Sequence, residues 1–216
     1  MSSGVITVID YGIGNVHSVL NAFRHEGATA MLSSDPDVIR NAERLVLPGV
    51  GAFGDGMREL GKRQLIEPLR EAVAKGTPLL GICLGMQLLL SESDEFGRHA
   101  GLGFIAGTVK RIEPTGGEKI PHIGWNRLHH PAGRGWSGSL LEQVPVGTSV
   151  YFVHSFTAVP NDEQHRLADT TYGGYRIAAA IQKDNVTGCQ FHPEKSGPAG
   201  LQMVRRFSSI DLKKAS

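Results

Sequence analysis

The chain has 216 residues, 40% hydrophobic and 20% charged, the balance of an ordinary globular protein that buries roughly 70% of its unfolded surface. A net charge of +1 gives no electrostatic footing for nucleic acid or an anionic membrane, and no apolar run approaches the ~20 residues of a membrane span. Two cysteines are too few for a disulfide framework, and Met1-Ser2-Ser3-Gly4 shows no basic-then-apolar leader, so one domain over residues 1–216 in a reducing, cytoplasmic compartment is expected.

In chain order, residues 5–9 predict a buried strand, and Asp10-Tyr11-Gly12-Ile13-Gly14-Asn15 a loop at its carboxyl end. Residues 16–26 place Val16, Val19, Leu20 and Phe23 at helical spacing, with Gly27 as the stop. A second strand follows at 28–32, a short helical turn opens at Asp35-Pro36, and a third strand at 44–47 runs into the glycine loop 48–56. One helix is predicted from about Met57 to Lys75, stopped by Gly76, and then a strand at 78–82. Strands alternating with helices imply an α/β fold: a mostly parallel open sheet flanked by helices on both faces, with ligands at the carboxyl ends of its strands. After Ser91 the rhythm changes to a polar loop at 93–100 and short β segments at 107–112, 125–130, 150–154, 175–182 and 187–191. These predict a mixed, antiparallel β portion added to the parallel half, and residues 198–210 a closing helix.

The strand at 78–82 ends in Gly81-Ile82-Cys83-Leu84-Gly85, followed by an apolar, helix-like run. A strand, a sharp turn and a helix with a thiol at the turn follow the logic of a nucleophile elbow, with cysteine in place of serine. The helix start stabilises a thiolate and leaves N–H groups free for an oxyanion. With 28 glycines in the chain, either cysteine acquires both flanking glycines by chance only about 3% of the time. The bland alternative is a buried core cysteine at a tight turn, and a partner decides between them.

That partner is His192-Pro193-Glu194. Pro193 biases His192 toward extended geometry, where positions i and i+2 share a side, so Glu194 can hold the imidazole and complete a Cys83–His192–Glu194 triad. Cys189 lies within a strand and reads as packing. Two other patterns fail. Gly49-Val50-Gly51-Ala52-Phe53-Gly54 has the dinucleotide spacing, but Pro48 and Asp55-Gly56 spoil a helix start and no acid follows where a ribose needs one. Gly56 to Lys62 resembles a phosphate loop but has Arg63 where a hydroxyl should hold magnesium. His129-His130 lacks a third ligand at sensible spacing and reads as an exposed hairpin; no metal and no cofactor are expected.

Gly81-Ile82-Cys83-Leu84-Gly85-Met86-Gln87 with His192-Pro193-Glu194 resembles the class I, triad-type glutamine amidotransferases. The segments 10–15, 48–53, 121–126 and 151–156 are similar to the branch of that family that serves histidine biosynthesis. Phe156 is a departure, since that branch often has tyrosine there. The resemblance implies that Cys83 attacks the carboxamide of L-glutamine, with His192 and Glu194 as base and orienting acid. It implies oxyanion donors at Val50 and Leu84, glutamine contacts at Gly51, Gln87, Ser155 and Phe156, and ammonia passing to a (βα)8-barrel cyclase subunit. Asn15, Trp125, Tyr151 and Lys195 would line that interface; by themselves, Lys195 reads as a solvated charge and Trp125 as core. Three alternatives compete: another branch such as the anthranilate synthase glutaminase, which segments 10–15 and 121–126 argue against; a stand-alone cysteine hydrolase, which the triad alone permits; and a docking scaffold, which the intact Cys83, His192 and Glu194 argue against.

Overall fold

The computed structural model describes residues 4–210. In order the elements are β1 (Ile6–Ile9), α1 (Val16–His25), β2 (Ala30–Ser33), α2 (Pro36–Arg40), β3 (Arg44–Gly49), α3 (Phe53–Lys62), α4 (Ile66–Ala74), β4 (Leu79–Cys83) and α5 (Leu84–Leu88). Then come β5 (Leu90–Ser93), β6 (His99–Ala100), β7 (Ile105–Arg111), β8 (His122–Arg127), β9 (Ser149–His154) and β10 (Phe156–Pro160). The chain closes with β11 (Arg166–Tyr172), β12 (Tyr175–Lys183), β13 (Val186–Cys189) and α6 (Gly197–Ser209).

A seven-stranded sheet in the order β11-β12-β13-β4-β3-β1-β2 forms the centre. The five strands from β13 to β2 are parallel, and β12 and β11 extend them antiparallel. All five residues of β4 are buried, as expected of a strand covered on both faces. On one face α1 and α6 pack together, with Phe23 edge-on to Phe207 at 6.1 Å, over Val8, Val46, Leu80 and Ile82. On the other face, Leu60 of α3 and Leu69 of α4 join Leu45, Leu47 and Leu79 in a second apolar cluster. Two smaller sheets, β10-β7-β5-β6 and the hairpin β8-β9, carry the rest.

Three expectations need correction. The single helix predicted over 57–75 is two helices, and the first starts at Phe53 rather than Met57. Its break lies at Gln64, which takes a left-handed φ of 57°, with Gln64 N–H on Gly61 O and Leu65 N–H on Leu60 O, each at 3.0 Å. Asp55-Gly56 does not delay the helix start: Asp55 sits favourably in the first turn, and the Glu95 carboxylate, from outside the segment, accepts the Phe53 N–H at 2.7 Å. The mixed, antiparallel β portion expected after Ser91 is present, but its extent and pairing differ from the expected segments. β13 lies parallel beside β4 in the main sheet, β6, β10 and β11 are strands where none was expected, and β5 starts at the end of the run read as helix-like. Polar composition hid β11, whose buried Asp169 pairs with Arg166 and Arg176. Among the described residues no helix is long and apolar enough to cross a membrane.

Candidate active site

Cys83 is the last residue of β4 and holds φ 56°, ψ −111°, a conformation that costs a non-glycine residue about 1–3 kcal/mol. The strain sits on the cysteine and not on its glycines, neither of which has positive φ. The glycines are needed for close approach. A Cβ on Gly85 would lie 1.7 Å from Leu47 O, and one on Gly81 would lie 2.7 Å from Gly85 O. α5 has only five residues, so its macrodipole is small; what it offers at the turn is the free N–H groups of its first residues, Leu84 among them.

His192 follows β13, the parallel neighbour of β4, so sheet topology delivers the imidazole to the carboxyl end of the sheet beside the sulfur. Its Nδ1 lies 2.7 Å from Glu194 Oε1, with the two side chains 4% and 2% exposed. The contact arises from a backbone other than the one expected: His192 is extended, but Pro193–Lys195 is a 3-10 turn. The His192 N–H donates to Tyr151 O at 3.0 Å, and Ser196 Oγ donates to His192 O at 2.7 Å. The hairpin strand β9 is thereby tied to the histidine. Burial by itself pushes the imidazole down, but the Cys83 sulfur and the Glu194 carboxylate outweigh it and lift His192 to about 9. His192 Nε2 is buried without a hydrogen-bond partner. Cys83 Sγ donates instead to Val153 O at 3.9 Å and accepts from Gln190 Nε2 at 3.8 Å.

A cavity of ≈ 310 Å³ opens on the sulfur, bounded by Val50, Gly51, Leu84, Gln87, Glu95 and Ser155, with Phe156 also in its wall. Every residue singled out for oxyanion or substrate contact is therefore at this cavity. Gly51 has φ 103° with open space around it, and Val50 is exposed beside it. At Phe156 the polar contacts run through the backbone carbonyl, which accepts from Gln87 Nε2 at 3.1 Å and from His154 Nδ1 at 2.7 Å. The ring, where tyrosine was the expected residue, lies edge-on to Phe96 at 6.4 Å.

Sequence reasoning missed Glu95, His154, Gln190 and the His122–His154 pair, whose Nδ1 and Nε2 are 3.0 Å apart. Burial pushes both imidazoles down, His122 to about 4 and His154 to about 3, so both are neutral near pH 7. Burial also raises the Glu95 carboxyl, against the Phe53 N–H that lowers it. Gln190 lay within the segment leading to His192 and could have been asked about; Glu95 sits in a polar stretch with no pattern to mark it.

Of the remaining candidates, Asn15 caps α1, accepting from Ser18 N–H at 3.4 Å, and is exposed, as is Lys195. Trp125 is 58% exposed and lies edge-on to Tyr151 at 6.1 Å, so the expectation of a core tryptophan fails and the surface one stands. Cys189 is fully buried and its thiol is pushed up, by burial first and then by the Glu194 charge. His129 and His130 are exposed but not in a hairpin; His129 bridges by backbone to Asp169.

A thiol on a strained strand-to-helix turn, beside an imidazole held by a carboxylate on a parallel α/β sheet, defines the class of cysteine-dependent acyl-transfer enzymes. Residues 7–209 match the family described as glutamine amidotransferase class-I. The imidazole glycerol phosphate synthase subunit HisH 1 of Legionella pneumophila (strain Lens) is 50% identical over 210 residues, spanning 95% of this chain and 99% of the relative. The HisH subunit of Geobacter sulfurreducens is 45% identical over 214 residues, spanning 95% and 98%. The solved structure of PurLQS from Thermotoga maritima superposes with a TM-score of 0.71 at 19% identity, covering 95% of this chain and 97% of that one, a likeness of fold alone. The chain belongs to the class-I glutamine amidotransferase family and, within it, to the HisH subunits of imidazole glycerol phosphate synthase.

Proposed function

We propose that this chain is the glutaminase subunit of an imidazole glycerol phosphate synthase, working as one domain over residues 1–216 in the cytoplasm. It releases ammonia from L-glutamine at Cys83 and passes it to a (βα)8-barrel cyclase subunit that makes imidazole glycerol phosphate and aminoimidazole carboxamide ribotide in histidine biosynthesis. The observation that carries this reading is the elbow sulfur beside the buried His192–Glu194 pair, at the ends of two neighbouring parallel strands and on a cavity sized for an amino acid. Two free thiols, one of which must be reduced to act, suit a reducing compartment.

In this mechanism Cys83 gives its proton to His192 Nε2, and the thiolate attacks the carboxamide carbon. Glu194 holds the imidazole tautomer and stabilises the imidazolium, which then protonates the leaving ammonia. Water, deprotonated by the same imidazole, hydrolyses the glutamyl thioester to glutamate and regenerates the thiol. The N–H groups of Leu84 and Val50 hold the oxyanion, each worth about 3–4 kcal/mol by analogy with other hydrolases. Gly51, Gln87, Ser155 and the Phe156 backbone position the substrate, and Glu95 supplies a carboxylate for its α-ammonium group. Ammonia exposed to neutral water would protonate and lose its nucleophilicity, which favours a dry handover to a docked partner. Exposed Trp125, Asn15 and Lys195, with Tyr151 beside them, form the docking face, and the Tyr151–His192 backbone bond ties that face to the base.

The open space and left-handed φ of 103° at Gly51, directly after Val50, support a resting enzyme with a misaligned Val50 donor, aligned when the nucleotide-loaded cyclase binds. Glutamate release from glutamine, with and without the cyclase and its nucleotide, tests both halves. Slow release alone and fast release in the loaded complex are expected. Equal rates would remove the regulation, and no release in either state would remove the glutaminase. Complementation of a histidine but not a tryptophan auxotroph separates this reading from an anthranilate synthase glutaminase.

A further inference from the structure

We propose that Gln190 is a further catalytic residue: its side-chain amide donates a hydrogen bond to the Cys83 sulfur and stabilises the attacking thiolate. A side-chain amide can face either way unless a group that can only accept fixes it. The Phe156 carbonyl is such a group. It takes the His154 Nδ1–H at 2.7 Å and the Gln87 Nε2–H at 3.1 Å; the opposite flip of Gln87 would set two oxygens against each other. Gln87 Nε2 then has its second hydrogen on Gln190 Oε1, at 3.0 Å. That leaves Gln190 Nε2 facing Cys83 Sγ at 3.8 Å, as an obligatory donor.

The polarity of the whole chain follows from one backbone carbonyl. Gln190 is completely buried and Gln87 nearly so, so water does not compete for these bonds. Cys83 and His192 share one proton: on the sulfur it points to Val153 O, and on His192 Nε2, which has no other partner, it is held by the thiolate and Glu194. Once the proton has moved, the sulfur keeps the Gln190 N–H as a neutral donor that moves no proton itself, while the imidazolium becomes its charged donor. Gln87 lines the substrate cavity, so the residue that orients Gln190 also meets the substrate.

The test uses the full chain and two variants. Gln190→Met removes the donor at similar volume, and Gln190→Glu keeps the shape while placing an acceptor against the sulfur. The readout is the pH profile of Cys83 alkylation by iodoacetamide, followed at Cys83 by mass spectrometry, with glutamine turnover in the cyclase complex alongside. The titratable groups around Cys83 are His192 backed by Glu194, Tyr11 from the loop after β1, and His154 and Glu95 in the wall of the same cavity; all remain in both variants, and Gln190→Glu adds one carboxylate. The alkylation midpoint should move up by about one pH unit in Gln190→Met, and further in Gln190→Glu. Turnover near neutrality should fall about tenfold in Gln190→Met and recover as pH rises, which a packing defect would not do. An unmoved midpoint in the variants that fold overturns the proposal, and Gln190→Glu, being isosteric, serves where Gln190→Met does not fold. The inference rests on Cys83 being the nucleophile. Turnover surviving in Cys83→Ala would overturn that reading, whereas inactive Cys83→Ala with unmoved Gln190 midpoints overturns only the donor.

Discussion

Gly85 shows how little room the elbow leaves. A methyl group there would sit 1.7 Å from the Leu47 carbonyl oxygen, a backbone atom held in the sheet, so neither side can yield. Gly85→Ala should cost about 3 kcal/mol or more, read as a drop in the urea midpoint at unchanged slope. A loss within about 0.5 kcal/mol would mean that α5 can lift off β3. Glu194 is a different kind of constraint, since it acts on a proton. Glu194→Gln should lower glutamine turnover by roughly 10²–10⁴ while leaving glutamine binding largely intact, because the amide no longer holds the imidazolium. The same variant has a pH signature. His192 is raised in the folded chain from 6.5 to about 9, so its contribution to stability is complete below 6.5 and is lost as pH rises through about 9. Removing the carboxylate should shrink that alkaline loss, measurable as stability at pH values on either side of the window. Turnover and alkaline limb both unchanged would strip Glu194 of its part.

At the scale of elements, helix ends decide what was legible. Gly27 and Gly76 mark true stops, with Gly27 N–H on Arg24 O and Gly76 N–H on Val73 O, each at 3.0 Å. Gln64 makes the same closure between α3 and α4 without glycine, and so the break was invisible to a glycine-based reading. Leu60 and Leu65, both fully buried, supply the apolar contact that holds it. Gln64→Gly should therefore stabilise the protein by about 1 kcal/mol, by relieving the left-handed strain. No gain, or a loss, would show that the Gln64 side chain does something the backbone does not reveal. The pair formed by His122 of β8 and His154 of β9 governs the acid side. Burial holds both neutral in the folded chain, whereas in the unfolded chain they take up protons below about 6.5. Stability is then full above 6.5 and falls as pH drops toward 4. A His122→Gln, His154→Gln double variant should show a shallower acid limb between those values, and an unchanged limb would remove the pair from the account.

For the whole molecule, the proposed docking face carries two large apolar side chains open to solvent. Ile123 and Trp125 stand 59% and 58% exposed on the β8–β9 hairpin, and Trp125 leans on Tyr151, whose carbonyl accepts the His192 N–H. Trp125→Ala should weaken cyclase binding at least about tenfold in calorimetry, as loss of a central aromatic anchor does, while changing the stability of the chain by less than about 0.5 kcal/mol. Unchanged affinity would move the docking face elsewhere.

Local pattern marked the alternating first half, the elbow at Cys83 and the nearness of Glu194 to His192, because these depend on residues a few positions apart: apolar spacing, glycines at a turn, a carboxylate two positions from a histidine. Only the tertiary structure decided that β13 runs parallel beside β4, bringing together residues more than a hundred positions apart, that Glu95 and Phe156 line the cavity at Cys83, and that Gln190 is buried behind it against Gln87 and the sulfur. The reason is physical. A long-range hydrogen bond such as Gln190 to Cys83 leaves no periodicity in the chain; it exists because two neighbouring parallel strands end side by side, and their buried polar groups must find partners there.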